Sequence, residues 1–184
     1  MNKLLGKTIV NPIFNGEVTY VDTAAATNGE KTVLDILLHP KGKGPGVHYH
    51  LSFSETFKVT EGELMIRLGK EIILLREGEV RTAEIRQLHD FWSQSDKPTR
   101  FRVTIKPAHE GFENTLAVSY GLAVDGHFTK TGRPKKFSHM AILATMSDTN
   151  APGFFSLIFG LLRAKAKRKK TRKIQKELIE KYCQ

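Results

Sequence analysis

Residues 42–62 read GKGPGVHYHLSFSETFKVTEG, and their spacing sets the frame for the rest of the chain. Five residues separate Gly42 from His48, one separates His48 from His50, four separate His50 from Glu55, and six separate Glu55 from Gly62. Side chains two apart on a strand project from the same face, so His48 and His50 present both imidazoles together. The chain then turns through residues 51–54, and Glu55 opens a returning strand that brings its carboxylate beside them. Glu55, Phe57 and Val59 share the inward face of that strand, and Gly62 permits the turn that closes the sheet. Three metal-ligating side chains converge without a cysteine or a special helix.

Working outward, residues 31–38 (KTVLDILL) are strand-like, and residues 40–46, with three glycines and two prolines, form a loop. Asn15-Gly16 and Asn28-Gly29 are turn dipeptides, because both residue types tolerate positive φ. Residues 57–60 and 63–68 flank Gly62 as a hairpin, and Leu68-Gly69-Lys70 turns the chain into 71–75. Further strands are expected at 79–83, 89–93 and 99–106. Turns every eight to twelve residues with no helical pattern between them point to a β-sandwich or β-barrel. After Pro107 the pattern changes. Residues 113–122 and 138–146 carry apolar residues at helical spacings, the segment after Pro152 reads as helix, and Ile174, Leu178 and Tyr182 form a stripe that needs burial. The chain thus divides into a β-unit over 1–110 and a helical extension over 111–184.

A fourth ligand candidate lies eleven residues beyond Gly78: His89, on a strand that also sends Phe91 and Ser93 inward. Three imidazoles and one carboxylate suit one divalent transition-metal ion, namely Fe, Mn, Co, Ni, Cu or Zn. They fill four positions, so an octahedral ion keeps two sites for water, substrate or dioxygen. By strand alternation Phe57 and Phe91 flank the ion, while Phe53 and Trp92 read as core filling. His39, His109, His127 and His139 match no ligand spacing and read as surface or structural residues.

These spacings resemble the cupin superfamily over roughly residues 30–106. Gly42, His48, His50, Glu55 and Gly62 stand in register with its first motif; Gly78 and His89 match its second. That second motif has Glu84 where proline is usual, Arg86 where glycine is usual, and Ser93 where asparagine is usual. Glu84 and Arg86 read as an exposed loop ion pair. The resemblance implies a mainly β fold, a double-stranded β-helix (jelly-roll) barrel followed by C-terminal α-helices, with the metal held by His48, His50, Glu55 and His89 near its centre. It implies a metal-dependent enzyme of dioxygenase or isomerase type acting on a small organic molecule; the alternative is a non-catalytic small-ligand-binding protein whose basic tail docks to a membrane surface or an acidic partner. Glu55 is then the candidate base, with Phe57, Phe91 and Ser93 in the pocket. A homodimer is expected, as in many cupins.

Composition bounds the remaining classes. Over 184 residues, 40% hydrophobic and 26% charged is the balance of a soluble globular protein, which excludes wholesale disorder. The single cysteine, Cys183, excludes an internal disulfide framework and a thiolate metal cluster. The first ten residues lack the apolar stretch of a signal peptide, so a cytoplasmic location is expected. The net charge of +10 is not spread evenly: residues 163–184 hold ten Lys/Arg and two Glu, a net of +8, leaving +2 for the other 162 residues. Eight of the eleven residues at 163–173 are basic, and like charges at helical spacing make this stretch a poor isolated helix. The apolar run at 154–162 followed by these bases has three readings. It is an interfacial anchor on an anionic membrane surface over 154–173, a nucleic-acid contact, or a helix packed on the protein with a solvated basic face. The packed helix is preferred, and nucleic acid comes last because no groove-reading motif accompanies the charge.

Overall fold

Turn chemistry cuts the first 106 residues into short strands. A computed structural model describes residues 3–153 and 155–184, residues 155–157 through their backbone alone. The strands are β1 (Thr8–Asn11), β2 (Gly16–Asp22), β3 (Thr32–Leu38), β4 (Tyr49–His50), β5 (Ser54–Glu61), β6 (Glu63–Leu68), β7 (Glu71–Arg76), β8 (Val80–Ala83), β9 (His89–Trp92) and β10 (Thr99–Lys106). Asn15 and Asn28 sit at φ 54° and 52°, the left-handed region that their dipeptides predict.

The strands pair antiparallel in a larger sheet, ordered β1-β2-β3-β10-β5-β8, and a smaller one, ordered β7-β6-β9. Gly62 is the corner between them. Its φ is +80°, and a Cβ there would lie 3.1 Å from the Pro98 carbonyl oxygen, so the chain can leave β5 in one sheet and enter β6 in the other. The two sheets face each other across a core of Phe57, Val59, Leu64, Ile66, Leu75, Phe101, Val103 and Ile105. Alternation is cleanest on β10, where Phe101, Val103 and Ile105 are buried while Arg100, Arg102 and Lys106 are exposed. The expected barrel needs one correction. Among the described residues the strands do not close into a continuous hydrogen-bonded barrel: the two sheets remain separate, and His48, on the segment between them, pairs with His89 of the smaller one. Short strands with corners at Gly62 and in the 93–98 loop favour two facing sheets.

The extension comprises α1 (Glu110–Val124), α2 (Phe137–Met146), the short strand β11 (Thr149–Asn150), α3 (Phe155–Ala166) and α4 (Lys169–Tyr182). His109 caps α1, its Nδ1 accepting from the Phe112 N–H at 2.9 Å. One side of α1 enters the jelly-roll core through Ala117, and the other joins α2 through Val118 and Leu122. Ile174, Leu178 and Tyr182 of α4 pack on that second cluster, so the stripe read from sequence is covered by protein. Gly121 leaves room for the Tyr182 ring, which any Cβ at that position would strike. The basic run breaks at residues 167–168, where α3 ends and α4 begins, and its lysines Lys167, Lys169 and Lys170 are exposed. Leu162 and Ala166 of α3 bury against Ala141. Phe154, the start of the apolar run, and the side chains of residues 155–157 lie outside the described residues. Among those residues no helix is long and apolar enough to cross a membrane.

Candidate metal centre

Three separate pieces of chain carry the four candidate ligands. Glu55 rises from β5 in the larger sheet, between Ile105 of β10 and Ala83 of β8. His89 begins β9 in the smaller sheet, opposite Leu68. His48 and His50 lie on the segment crossing between the sheets. His48 exchanges backbone hydrogen bonds with His89, at 3.0 and 2.8 Å, and His50 pairs with Thr149 of β11. All four side chains are buried, and one ligand atom from each lies within 4.8 Å of every other. Ligands about 2.1 Å from one ion would stand roughly 3 Å apart when adjacent and about 4.2 Å when opposite, so a small contraction suffices to share a cation. Glu55 already lies 3.0 Å from His89 Nε2 and 3.8 Å from His50 Nε2.

The donor chemistry fits a cation. His48 Nδ1 lies 2.8 Å from the Gly46 carbonyl and His89 Nδ1 lies 2.9 Å from the Gln87 carbonyl. A carbonyl only accepts, so each Nδ1 carries a proton; Nε2 of the neutral His48 ring is left with a lone pair, while His89 Nε2 faces Glu55 at 3.0 Å. His89 Nε2 and both nitrogens of His50 are buried without a hydrogen-bond partner of good geometry. Such groups are costly unless something satisfies them, and a shared cation would take up His89 Nε2 and one nitrogen of His50.

Electrostatics agree. Burial, reinforced by His89 and His50, pushes the His48 pKa down to about 3, and burial also lowers His50. Both rings are therefore neutral at physiological pH, as metal ligation requires. Burial alone would raise Glu55, but its contact with His89 and the pull of His50, His89 and His48 outweigh that and bring it down to about 2. Burial would lower His89, and Glu55 outweighs it, leaving the pKa raised. A carboxylate held ionised among imidazoles is a ready anionic ligand.

A cavity of about 320 Å³ opens onto His48 and Glu55 and is lined by Phe57 and Phe91. Ser93 does not line it. That side chain is buried with its hydroxyl 3.2 Å from Thr99 Oγ1, accepting from the Ser95 N–H. The ring lying directly on a ligand is Phe53, stacked on His50 at 4.2 Å, with Phe112 edge-on at 5.7 Å. Phe57 stands farther off, 6.3 Å from His89. Phe53 shares the odd-numbered alternation of Glu55 and Phe57, so stepping back two residues along the strand would have found it. Phe112 had no such signal, because it comes from α1.

The altered second motif keeps its turn. Arg86 occupies the glycine position at φ +67°, donating its N–H to the His50 carbonyl at 2.7 Å, while Gln87 N–H bonds Glu84 O at 2.9 Å. Glu84 and Arg86 are both exposed, and among the described residues they form no ion pair. On the other side Asp90 accepts from the N–H groups of Gly46 and Phe91, which pins the glycine loop leading into His48. His39 pairs with Glu17 at 3.2 Å, and His127 and His139 lie near each other away from the centre, their rings 5.8 Å apart.

No family model matches the chain, and no curated protein matches it. Solved structures do. A predicted oxalate decarboxylase from Thermotoga maritima superposes with TM-score 0.50 at 15% identity, over 56% of this chain and 93% of that one. An RmlC-like cupin from Shewanella frigidimarina gives 0.49 at 21% identity, over 56% and 86%. A sugar phosphate isomerase of the cupin superfamily from Silicibacter pomeroyi gives 0.48 at 19%, over 54% and 70%. Likeness at such identities speaks to fold and not to reaction. With the first motif in register, two facing antiparallel sheets and the four motif side chains gathered between them, this chain has the double-stranded β-helix fold of the cupins.

Proposed function

We propose that this chain is a metal-dependent cupin that holds one divalent transition-metal ion through His48, His50, Glu55 and His89 and acts on a small organic molecule by dioxygenase- or isomerase-type chemistry. The observation that carries this reading is the buried cluster itself: four ligand atoms from three pieces of chain within 4.8 Å of one another, with both His50 nitrogens lacking a hydrogen-bond partner among the described residues. When bound, the ion supplies Lewis acidity or dioxygen activation. The chain's own residues supply the rest. The Gly46 and Gln87 carbonyls hold His48 and His89 with Nε2 inward. Phe57 and Phe91 line the cavity and keep water from the centre. Glu55, ionised at neutral pH, would be one of the groups holding the ion, and it is also the carboxylate placed to take a proton from a molecule in the cavity.

The test is metal content. Full-length protein purified without added metal should carry close to one ion per chain, and His48→Ala and His50→Ala should each lose it. Unchanged metal in both variants overturns the reading.

A further inference from the structure

The cavity at the centre is only half made by the jelly roll. Its remaining wall is the helical extension. Phe112, Leu116 and Tyr120, spaced i, i+4 and i+8, line it from α1, and Met140, Leu143 and Ala144 line it from α2. Two helices thus turn periodic faces onto a space of about 320 Å³ that reaches His48 and Glu55. An apolar concavity of this size with a few polar groups in its wall has the character of a small-molecule site.

The polar groups in the wall say more. Thr115 and Ser119 hydroxyls donate to carbonyls of their own helix, at 2.8 and 3.1 Å, and Ser147 donates to Leu143 O at 2.8 Å. The Tyr120 hydroxyl has no hydrogen-bond partner among the described residues, and burial raises its pKa, which keeps it a donor at neutral pH. Lys43 is exposed yet lines the cavity, which places it at the mouth. Among the described residues Glu55 is the only acidic one in the wall, and it belongs to the candidate metal centre. A donor, a cation and a metal site facing apolar walls select a ligand with one anionic oxygen group and an apolar body.

We propose that the helical extension roofs the cupin site and that the roofed cavity takes a mainly apolar small-molecule acid, with the Tyr120 hydroxyl as one of its hydrogen-bond donors. This proposal rests on the metal reading above.

Calorimetric titration of the metal-loaded full chain tests it with three probes: 4-phenylbutyrate, the alcohol 4-phenylbutanol, and glucuronate, an acid with a polar body. Phenylbutyrate should bind at least about tenfold more tightly than phenylbutanol, and glucuronate should not bind measurably. Ala144→Phe fills the cavity and should abolish phenylbutyrate binding. Tyr120→Phe, which removes one atom and keeps the ring packed, should weaken it about tenfold, and it decides the matter if Ala144→Phe does not fold. Both variants should keep their metal. Absent phenylbutyrate binding to a chain that holds its ion, equal binding of glucuronate, or unaltered affinity in Tyr120→Phe overturns the proposal while leaving the metal reading intact. A chain that binds no metal overturns that reading instead, and metal analysis registers this separately from the titration.

Discussion

Replacing Arg86 by glycine should stabilise the protein. The residue sits at φ +67° in the turn between β8 and β9. An L side chain in that region costs about 1–2 kcal/mol. Glycine removes the cost but gives the unfolded chain more freedom, about 0.5–1 kcal/mol. The balance favours Arg86→Gly by about 0.5–1 kcal/mol. Little else is lost, since the Arg86 side chain is exposed and its N–H bond to the His50 carbonyl survives the change. At about 2–4 °C per kcal/mol for a protein of this size, the Tm should rise about 1–4 °C. Arg86→Ala is the control: it removes the charge, keeps the backbone cost, and should stay within about 0.5 kcal/mol of the parent. Thermal unfolding followed by circular dichroism, on chelator-treated protein so that metal affinity does not enter, reads the difference. If the glycine variant is no more stable than the alanine variant, the left-handed strain is not there and the reasoning fails.

Acid should destabilise the metal-free chain. His48 has its folded pKa near 3 against an ordinary 6.5, so only the unfolded chain takes up that proton as pH falls below 6.5, and stability drops down to about pH 3. His50, lowered by burial, acts in the same direction. Glu55, at about 2 against 4.5, stabilises fully above pH 4.5 and loses that contribution as pH falls toward 2. His89, raised by Glu55, opposes: its contribution is present below pH 6.5 and is lost as pH rises through its folded value. Urea midpoints between pH 7 and 4 should therefore fall less steeply in His48→Asn than in the parent; parallel slopes would contradict the assignment. Phe53→Ala, which removes the ring stacked 4.2 Å from His50, should cost about 3–5 kcal/mol. It should also weaken metal binding at least about tenfold in a competition titration. Gly44→Ala places a Cβ 2.6 Å from the Phe91 carbonyl oxygen, so the loop before His48 must shift. Chemical denaturation should register a loss of about 1–3 kcal/mol.

Much of the fold was legible because its punctuation is glycine and asparagine. Strands β3, β5, β6, β7 and β10 lie within a residue or three of where the turn signals at Gly62, Gly69 and Gly78 put them. β11, two residues long, is too short for any periodicity to reveal, and pairing with β4 is what makes it a strand. The helices α1 and α2 run one to three residues beyond their apolar patterns, since His109 caps one from outside its stripe and Phe137 starts the other as an exposed residue. Of the site, spacing showed His48, His50 and Glu55 because all three fall within eight residues of sequence, and His89 through its distance from Gly78. It could not show the roof. Phe112 and Tyr120 reach the cavity only through the packing of α1 on the jelly roll, and no local pattern encodes which face of a helix that packing selects. Ser93 shares the parity of His89, yet its hydroxyl turns to Thr99 where the chain leaves β9, a change of direction that alternation does not carry.

X-ray absorption at the metal edge of the reconstituted full chain addresses the central claim most directly. Three imidazole shells and a carboxylate oxygen at about 2.0–2.2 Å are expected, and replacing His89 by alanine should remove one imidazole from the fit. A spectrum fitted by oxygen ligands alone, or one unchanged by the loss of His89, would contradict a single ion held between the two sheets.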